Sequence, residues 1–238
     1  MRLLAGTSGF SYKEWVGEFY PDKLAAKGML AHYATRLPIV EINNTFYRTP
    51  NAASIQGWRS QVSDSFRFAI KVPRRISHIK RLRDCGEDLA FLLRAVADLS
   101  PCLGSLLVQL PPHARCDEGA LAGFLKDVPD GVRVAFEFRN DTWLVPAVFK
   151  LLEGRNAALV QSESDETFEV LPWTADWAYL RLRRVVYTAD DVRRWLERID
   201  AAGVTEAHVF FKHEDGATGP KLAAQMLAMA EGIRANLA

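Results

Sequence analysis

The chain has 238 residues, 49% hydrophobic and 25% charged, with a formal net charge of +1 at neutral pH. That composition describes a globular protein and excludes a disordered one. The near-balanced charge excludes a global pull toward nucleic acid or anionic membrane, so any such preference must come from a local patch.

From the N-terminus, Met1-Arg2-Leu3-Leu4-Ala5-Gly6 turns polar too early for the apolar core of a secretory signal. A first β-rich run covers 3–6, and Thr7 and Ser8 follow it. A second covers 39–43 and closes on Glu41 and Asn43, which share one strand face while Ile42 takes the other. The third, 66–72, carries Lys71 near its end, and the fourth, 105–110, ends on Gln109-Leu110-Pro111-Pro112, a rigid exit because proline cannot donate to the ladder. Helical periodicity marks 86–99, with Leu89, Leu92, Leu93, Val96 and Leu99 on one side, and 118–128, with Leu121, Phe124, Leu125 and Val128. The fifth run, 132–139, repeats the polar ending of the second with Glu137 and Arg139. A sixth covers 157–161, a seventh 178–183 with Arg181 and Arg183, and an eighth 207–211, followed by Lys212 and His213. Helical stripes recur at 189–202 (Val192, Trp195, Leu196, Ile199) and 220–237 (Leu222, Met226, Leu227, Met229, Ala230, Ile233).

Alternation of strand and helix repeated about eight times argues for an α/β fold with a parallel sheet. A chain of this length accommodates one TIM-type (β/α) barrel of about eight parallel strands, expected as a single domain over 1–238. An open doubly wound sheet is weakened because Gly6-Thr7-Ser8-Gly9 is too short for a dinucleotide fingerprint. One βα unit, near 162–177, holds Pro172 and no stripe, so a loop or short turn is expected in place of the sixth helix. Cys85, Cys102 and Cys116 have no CxxC spacing; an odd, sparse set suits a reducing cytoplasm. No apolar stretch approaches the ~20 residues that cross a bilayer, and no membrane partner is expected.

In parallel α/β folds ligands bind at the carboxyl ends of the strands. Glu41 and Glu137 are the carboxylates inside those ends. Paired carboxylates can serve as general acid and base where their environments separate their pKa values, and these two are the catalytic candidates. Each could instead orient an adjacent lysine or arginine, or be a structural ion pair. Lys71, Arg139, Arg181 and Lys212 are expected to hold negative charge, with Asn43, Gln109 and His213 as polar contacts. The dense basic stretch 71–83 reads as a phosphate-binding rim or as a solvated loop. Among the aromatics near the ends, Tyr12 and Tyr47 lean toward the site through their phenols, while Trp15 and Trp143 lean toward a hydrophobic plug, Trp143 being kept as a binding candidate. A divalent metal could use the glutamates with His213 and Asp215, but the histidines show no HxH or HExxH spacing, and no metal or other cofactor is assigned.

Several motifs together resemble one known family. Gly6-Thr7-Ser8-Gly9-Phe10-Ser11-Tyr12 with Trp15 and Phe19-Tyr20-Pro21 is the first, and Glu41-Ile42-Asn43-Asn44-Thr45-Phe46-Tyr47-Arg48 the second. Gln109-Leu110-Pro111-Pro112, Ala135-Phe136-Glu137-Phe138-Arg139 with Trp143, and Tyr179-Leu180-Arg181-Leu182 complete the set. The chain resembles the YecE-like family, domain of unknown function 72, over nearly its whole length. The resemblance implies a TIM-barrel-like single domain and no established reaction. Two positions depart from the pattern: Arg183-Arg184 stands where the family often has His-Gly, and Gln161-Ser162 where an aspartate is common after the sixth strand.

The expected function is an enzyme, hydrolase or lyase, acting on a phosphorylated or otherwise anionic small substrate at the barrel mouth. The alternatives are a nucleic-acid-binding or processing protein using the basic rim and a non-catalytic ligand-binding module. The oligomeric state is not legible in the sequence.

Overall fold

A computed structural model of the chain describes residues 1–165, 170–213 and 215–235. Strand β1 (Arg2–Ser8) leads to α1 (Met29–Ala34), β2 (Ile39–Ile42) to α2 (Ala52–Arg59), and β3 (Arg67–Lys71) to α3 (Gly86–Ala95). Next come β4 (Leu103–Gln109), α4 (Glu118–Asp127), β5 (Val134–Glu137) and α5 (Pro146–Glu153). Two short strands, β6 (Ala158–Leu159) and β7 (Gln161–Glu163), precede β8 (Trp177–Leu182), α6 (Ala189–Ala201), β9 (Glu206–Phe211) and α7 (Thr218–Ala235).

Among the described residues nine strands form one sheet in the order β6-β5-β4-β3-β2-β1-β9-β8-β7. All registered pairs are parallel. β6 and β7 are two halves of a broken sixth strand: β6 pairs with β5, β7 with β8, and Val160 joins them. The Val160 amide still donates to Phe136 O at 2.9 Å. The ring therefore nearly closes, giving the TIM-type barrel the alternation predicts. The expected loop at 162–177 begins later than its sequence suggests, because Ser162 and Glu163 extend along β8. Residues 164–165 and 170–176 form no helix, and 166–169 lie outside the described residues.

Alternation along each strand decides what it buries. Leu4, Ile39, Ala69, Leu107, Ala135, Ala158, Trp177, Tyr179 and Phe210 point into the lumen and fill it. Their neighbours Val40, Ile42, Phe68, Ile70, Val108, Val134, Phe136, Leu180 and Leu182 meet the helices. Each such side chain contributes about 1.5–3 kcal/mol on burial, so the lumen is a packed core and not a pore. The helices bury the stripes read from the sequence, Val192, Trp195, Leu196 and Ile199 on α6 and Leu121, Phe124 and Leu125 on α4. Their starts are capped: Asp117 accepts from Ala120 N, and Thr188 with Asp191 forms a capping box. No helix among the described residues is long and apolar enough to cross a membrane.

The strand starts also carry a buried polar cluster. Glu206 binds Arg2 at 3.1 Å, pairs with Arg133, and contacts His208 Nε2 at 2.9 Å; His208 Nδ1 lies 3.2 Å from Ser105 Oγ. Burial lowers the His208 pKa more than Glu206 raises it, so the ring is neutral at pH 7.

Candidate functional site at the carboxyl-end mouth

The layer above the apolar lumen is ionic. β1 and β2 approach closely at Gly6, where a Cβ would sit 1.9 Å from Ile39 O, and the Tyr33 hydroxyl bridges them by accepting from Thr7 N and donating to Ile39 O. That approach sets Ser8 opposite Glu41 in register. Glu41, with no exposed surface, accepts Ser8 Oγ at 2.8 Å, Asn43 Nδ2 at 2.9 Å, Arg181 Nη2 at 2.9 Å and Tyr179 OH at 2.7 Å. Glu137 accepts Arg181 Nη1 at 2.5 Å, Gln109 Nε2 at 2.7 Å, Arg183 Nη2 at 3.1 Å and Arg139 Nε at 3.2 Å. Arg181 thus joins both carboxylates with one guanidinium, a use of its fixed fork that a lysine could not copy.

Burial by itself would raise both carboxyl pKa values. For Glu41, Arg181 with the Tyr179, Asn43 and Ser8 hydrogen bonds outweighs it; for Glu137, Arg181, Arg183 and Arg139 do. Both therefore stay ionised, and neither holds a proton to donate at neutral pH. The same contacts push Tyr179 well above its ordinary value, burial first and Glu41 next. Burial lowers Arg183 more than Glu137 raises it, with Arg181 and Arg139 adding to the drop.

Beside this pair, Lys71 Nζ donates to Gln109 Oε1 at 2.9 Å and lies 4.5 Å from the Phe46 ring centroid. Burial, then the charge of Arg181, lowers its pKa to about 8. His78 packs edge-on against Phe46 at 4.7 Å. Burial, then Lys71 and Arg74, lowers His78 to about 4, so it is neutral at pH 7.

A cavity of about 780 Å³ opens at this layer, its walls including Glu137, Phe138, Arg139, Ser162, Arg183 and Lys212. Asp141 lies on its exposed rim. Counting the groups behind the walls, the basic side chains Lys71, Arg139, Arg181, Arg183 and Lys212 face the carboxylates Glu41, Glu137 and Asp141, so among the described residues positive charge is in surplus. Arg183 Nη2 also reaches Ser162 Oγ at 2.5 Å, while the Arg181 and Arg183 Nε atoms are buried without a hydrogen-bond partner among the described residues.

Of the residues singled out from sequence, the structure brings Glu41, Asn43, Lys71, Gln109, Glu137, Arg139, Arg181 and Lys212 to this mouth. Tyr12 turns aside, donating to Ser8 O at 2.6 Å and lining a separate cleft with Phe10, Asn44 and Trp58. Tyr47 is 83% exposed. Trp143 is buried, stacked on Phe138 at 4.7 Å with its Nε1 donating to Ala114 O, so it backs the cavity wall without touching its interior. His213 faces Arg184 O and the Tyr187 ring, on the outer side of the barrel. Half of the basic stretch is occupied: Arg75 and Lys80 pair with Asp88, and Arg83 pairs with Asp117. Among the described residues no three His, Cys, Asp or Glu side chains are grouped to hold a metal ion.

Tyr179, Ser162 and His78 also belong to the mouth without being singled out by the sequence, and Arg183, legible there as a strand-end cation, joins them. A signal exists for Tyr179. Trp177, Tyr179, Arg181 and Arg183 share one strand face, so choosing Arg181 implied its neighbours two residues away.

Comparisons with known proteins agree with this architecture. The family model "Protein of unknown function DUF72" matches residues 4–237. The chain is 35% identical over 112 residues to the UPF0759 protein YecE of Escherichia coli K12, covering 47% of this chain and 41% of that protein. It is 28% identical over 139 residues to the UPF0759 protein YunF of Bacillus subtilis 168, covering 55% and 49%. The matched stretch thus spans less than half of each of these relatives. A crystal structure of a DUF72 family protein from Thermotoga maritima superposes with a TM-score of 0.83 at 24% identity, covering 97% of this chain and all of that one. A second, from Enterococcus faecalis V583, gives 0.78 at 20% identity, covering 97% and 98%. Those two likenesses speak to the fold, and the family match over nearly the whole chain makes this protein a member of DUF72, the YecE-like family.

Proposed function

We propose that the carboxyl-end mouth binds a phosphorylated or otherwise anionic small substrate and performs hydrolase or lyase chemistry on it. The observation that carries this reading is the cavity of about 780 Å³ with Arg139, Arg183 and Lys212 in its walls. Its volume lies within the range of small-molecule sites, roughly 300–1,000 Å³. Arg183 Nε is a buried donor awaiting an acceptor, and an anionic oxygen would satisfy it while relieving the positive surplus. Glu41 anchors Arg181 from below; Glu137, which lines the cavity with both oxygens already hydrogen-bonded, orients the basic side chains around the anion. A polynucleotide has less support, because Arg75, Lys80 and Arg83 are held by Asp88 and Asp117. The free thiols of Cys85 and Cys102, both buried, suit a reducing cytoplasm.

A thermal-shift screen of phosphorylated metabolites tests the proposal. A ligand at a hundred times its Kd contributes about 2.7 kcal/mol, which raises the midpoint of a chain this size by about 5–10 °C. Arg183→Gln with Lys212→Gln should abolish the shift. If no phosphorylated compound shifts the midpoint, or the double variant responds like the parent, the small-anion reading fails. Steeply salt-dependent binding to single-stranded oligonucleotides, with no small-molecule shift, would favour nucleic acid instead.

A further inference from the structure

Two basic side chains at the mouth, Lys71 and Lys212, make no ion pair among the described residues. Lys212 is exposed, whereas Lys71 is partly buried and fixed on three sides. Its Nζ donates to the neutral amide oxygen of Gln109 at 2.9 Å, and Gln109 is itself held by Glu137 at 2.7 Å. The Phe46 ring lies under the ammonium at 4.5 Å, and Thr45 Oγ1 donates to the Lys71 carbonyl at 2.7 Å, fixing the end of β3. Both glutamates, by contrast, have each oxygen committed to a donor, Arg181 among them, and stay ionised. Glu41 and Glu137 act on the Lys71 charge only from beyond ion-pair distance, so a structural ion pair does not account for this lysine.

We infer that Lys71 is the nucleophilic amine of this mouth, and that the substrate class is a phosphorylated aldehyde or ketone whose carbonyl carbon its Nζ attacks. The inference rests on the anion-binding reading of the cavity, since Arg139, Arg183 and Lys212 would hold the phosphate. The step is balanced: the amine lone pair forms the new C–N bond, the C–O bond breaks, and both amine hydrogens leave with the oxygen as one water. The product is an imine, formed with no oxidant or metal. Burial and the charge of Arg181 support the role by lowering the ammonium pKa to about 8. Roughly a tenth of the amine is then neutral at pH 7, against well under a thousandth for an ordinary lysine near 10.4. Desolvation beside other cations is a recognised way to activate lysine. His78, neutral and packed edge-on against the same Phe46 ring, is the group assigned to moving the protons that become water.

The test uses pyridoxal 5′-phosphate as a phosphorylated aldehyde, with borohydride reduction and peptide mass mapping of the whole chain. The expected result is a reduced adduct on Lys71 in at least about tenfold excess over Lys212 and the surface lysines Lys13 and Lys126. Unphosphorylated pyridoxal should label Lys71 about tenfold less, and inorganic phosphate should protect it. Lys71→Arg, which keeps the charge and bulk, should lose this adduct alone; Lys71→Met serves should the arginine variant fold poorly. If phosphate stabilises the protein but the label falls on Lys212 or the surface lysines, the amine role is overturned and the anion site stands. Label on Lys71 that ignores phosphate, whether on the aldehyde or in solution, supports the amine and overturns the anion-binding reading.

Discussion

The two ends of this barrel use the same chemistry for different ends. At the base, Glu206 is held by Arg2 and Arg133 beside the neutral His208, and the Trp177 ring covers the cluster, with the Arg133 guanidinium 5.4 Å from it. At the mouth, Glu41 and Glu137 share Arg181, but Lys71, Arg139, Arg183 and Lys212 add positive charge around an open cavity. A buried ion pair is therefore no sign of a site in itself. The mouth differs from the base in its surplus charge, its unsatisfied guanidinium donors and its room for a ligand.

The comparison is most easily broken at Arg181. Arg181→Met leaves two fully buried carboxylates without their shared cation, and the expected loss is about 3–5 kcal/mol, or about 10 °C in the melting midpoint. A calorimetric loss below about 1 kcal/mol would mean that the mouth is no more tightly coupled than the base. Glu137→Gln should cost less, about 2 kcal/mol, because Arg181 keeps Glu41. It should also raise affinity for inorganic phosphate several-fold, since the positive surplus grows. Weaker phosphate binding by calorimetry would show that Glu137 positions the anion site and does not oppose it.

The pH response separates the ends by window and not by sign, since stability should rise with pH in both. Lys71 titrates near 8 in the folded chain against 10.5 for an ordinary lysine. The unfolded chain therefore binds more protons between those values, and stability should rise with pH across that window. Phosphate binding should weaken over the same range as the ammonium is lost. Lys71→Met should flatten both slopes. At the base, Glu206 is lowered to about 2, burial raising it and the His208 and Arg133 contacts outweighing that. Its contribution is present above the ordinary 4.5 and is lost as pH falls toward 2. The smallest effect is expected from Arg133→Met, about 1 kcal/mol for a part-exposed pair, with phosphate affinity unchanged. An altered affinity there would tie the two ends together.

Much of this molecule is legible along the chain. Period-two endings at Glu41/Asn43 and Glu137/Arg139 place the carboxylates on the lumen side of β2 and β5, and the apolar stripes of α3, α4, α6 and α7 are visible as spacings. The weaker helices α2 and α5 are not, because each buries few residues, Ile55 in one and Val148 with Leu152 in the other. The break at Val160 is also hidden, since β6 and β7 differ in their hydrogen-bonding partner and not in residue type. Trp143 and His213 sit at strand exits and so look like site residues; stacking on Phe138 and packing against Tyr187 turn them elsewhere.

The amino-acid sequence by itself determined the period, hence the barrel and the end of it where polar groups gather, because alternation and amphipathicity are local properties of the chain. Which of those groups meet was decided only by tertiary structure. Glu41 and Arg181 lie 140 positions apart, and their 2.9 Å contact arises from closure of the sheet. Charge surplus, burial and the lowered affinity of Lys71 for its proton are sums over such distant neighbours, and no local stretch of residues contains them.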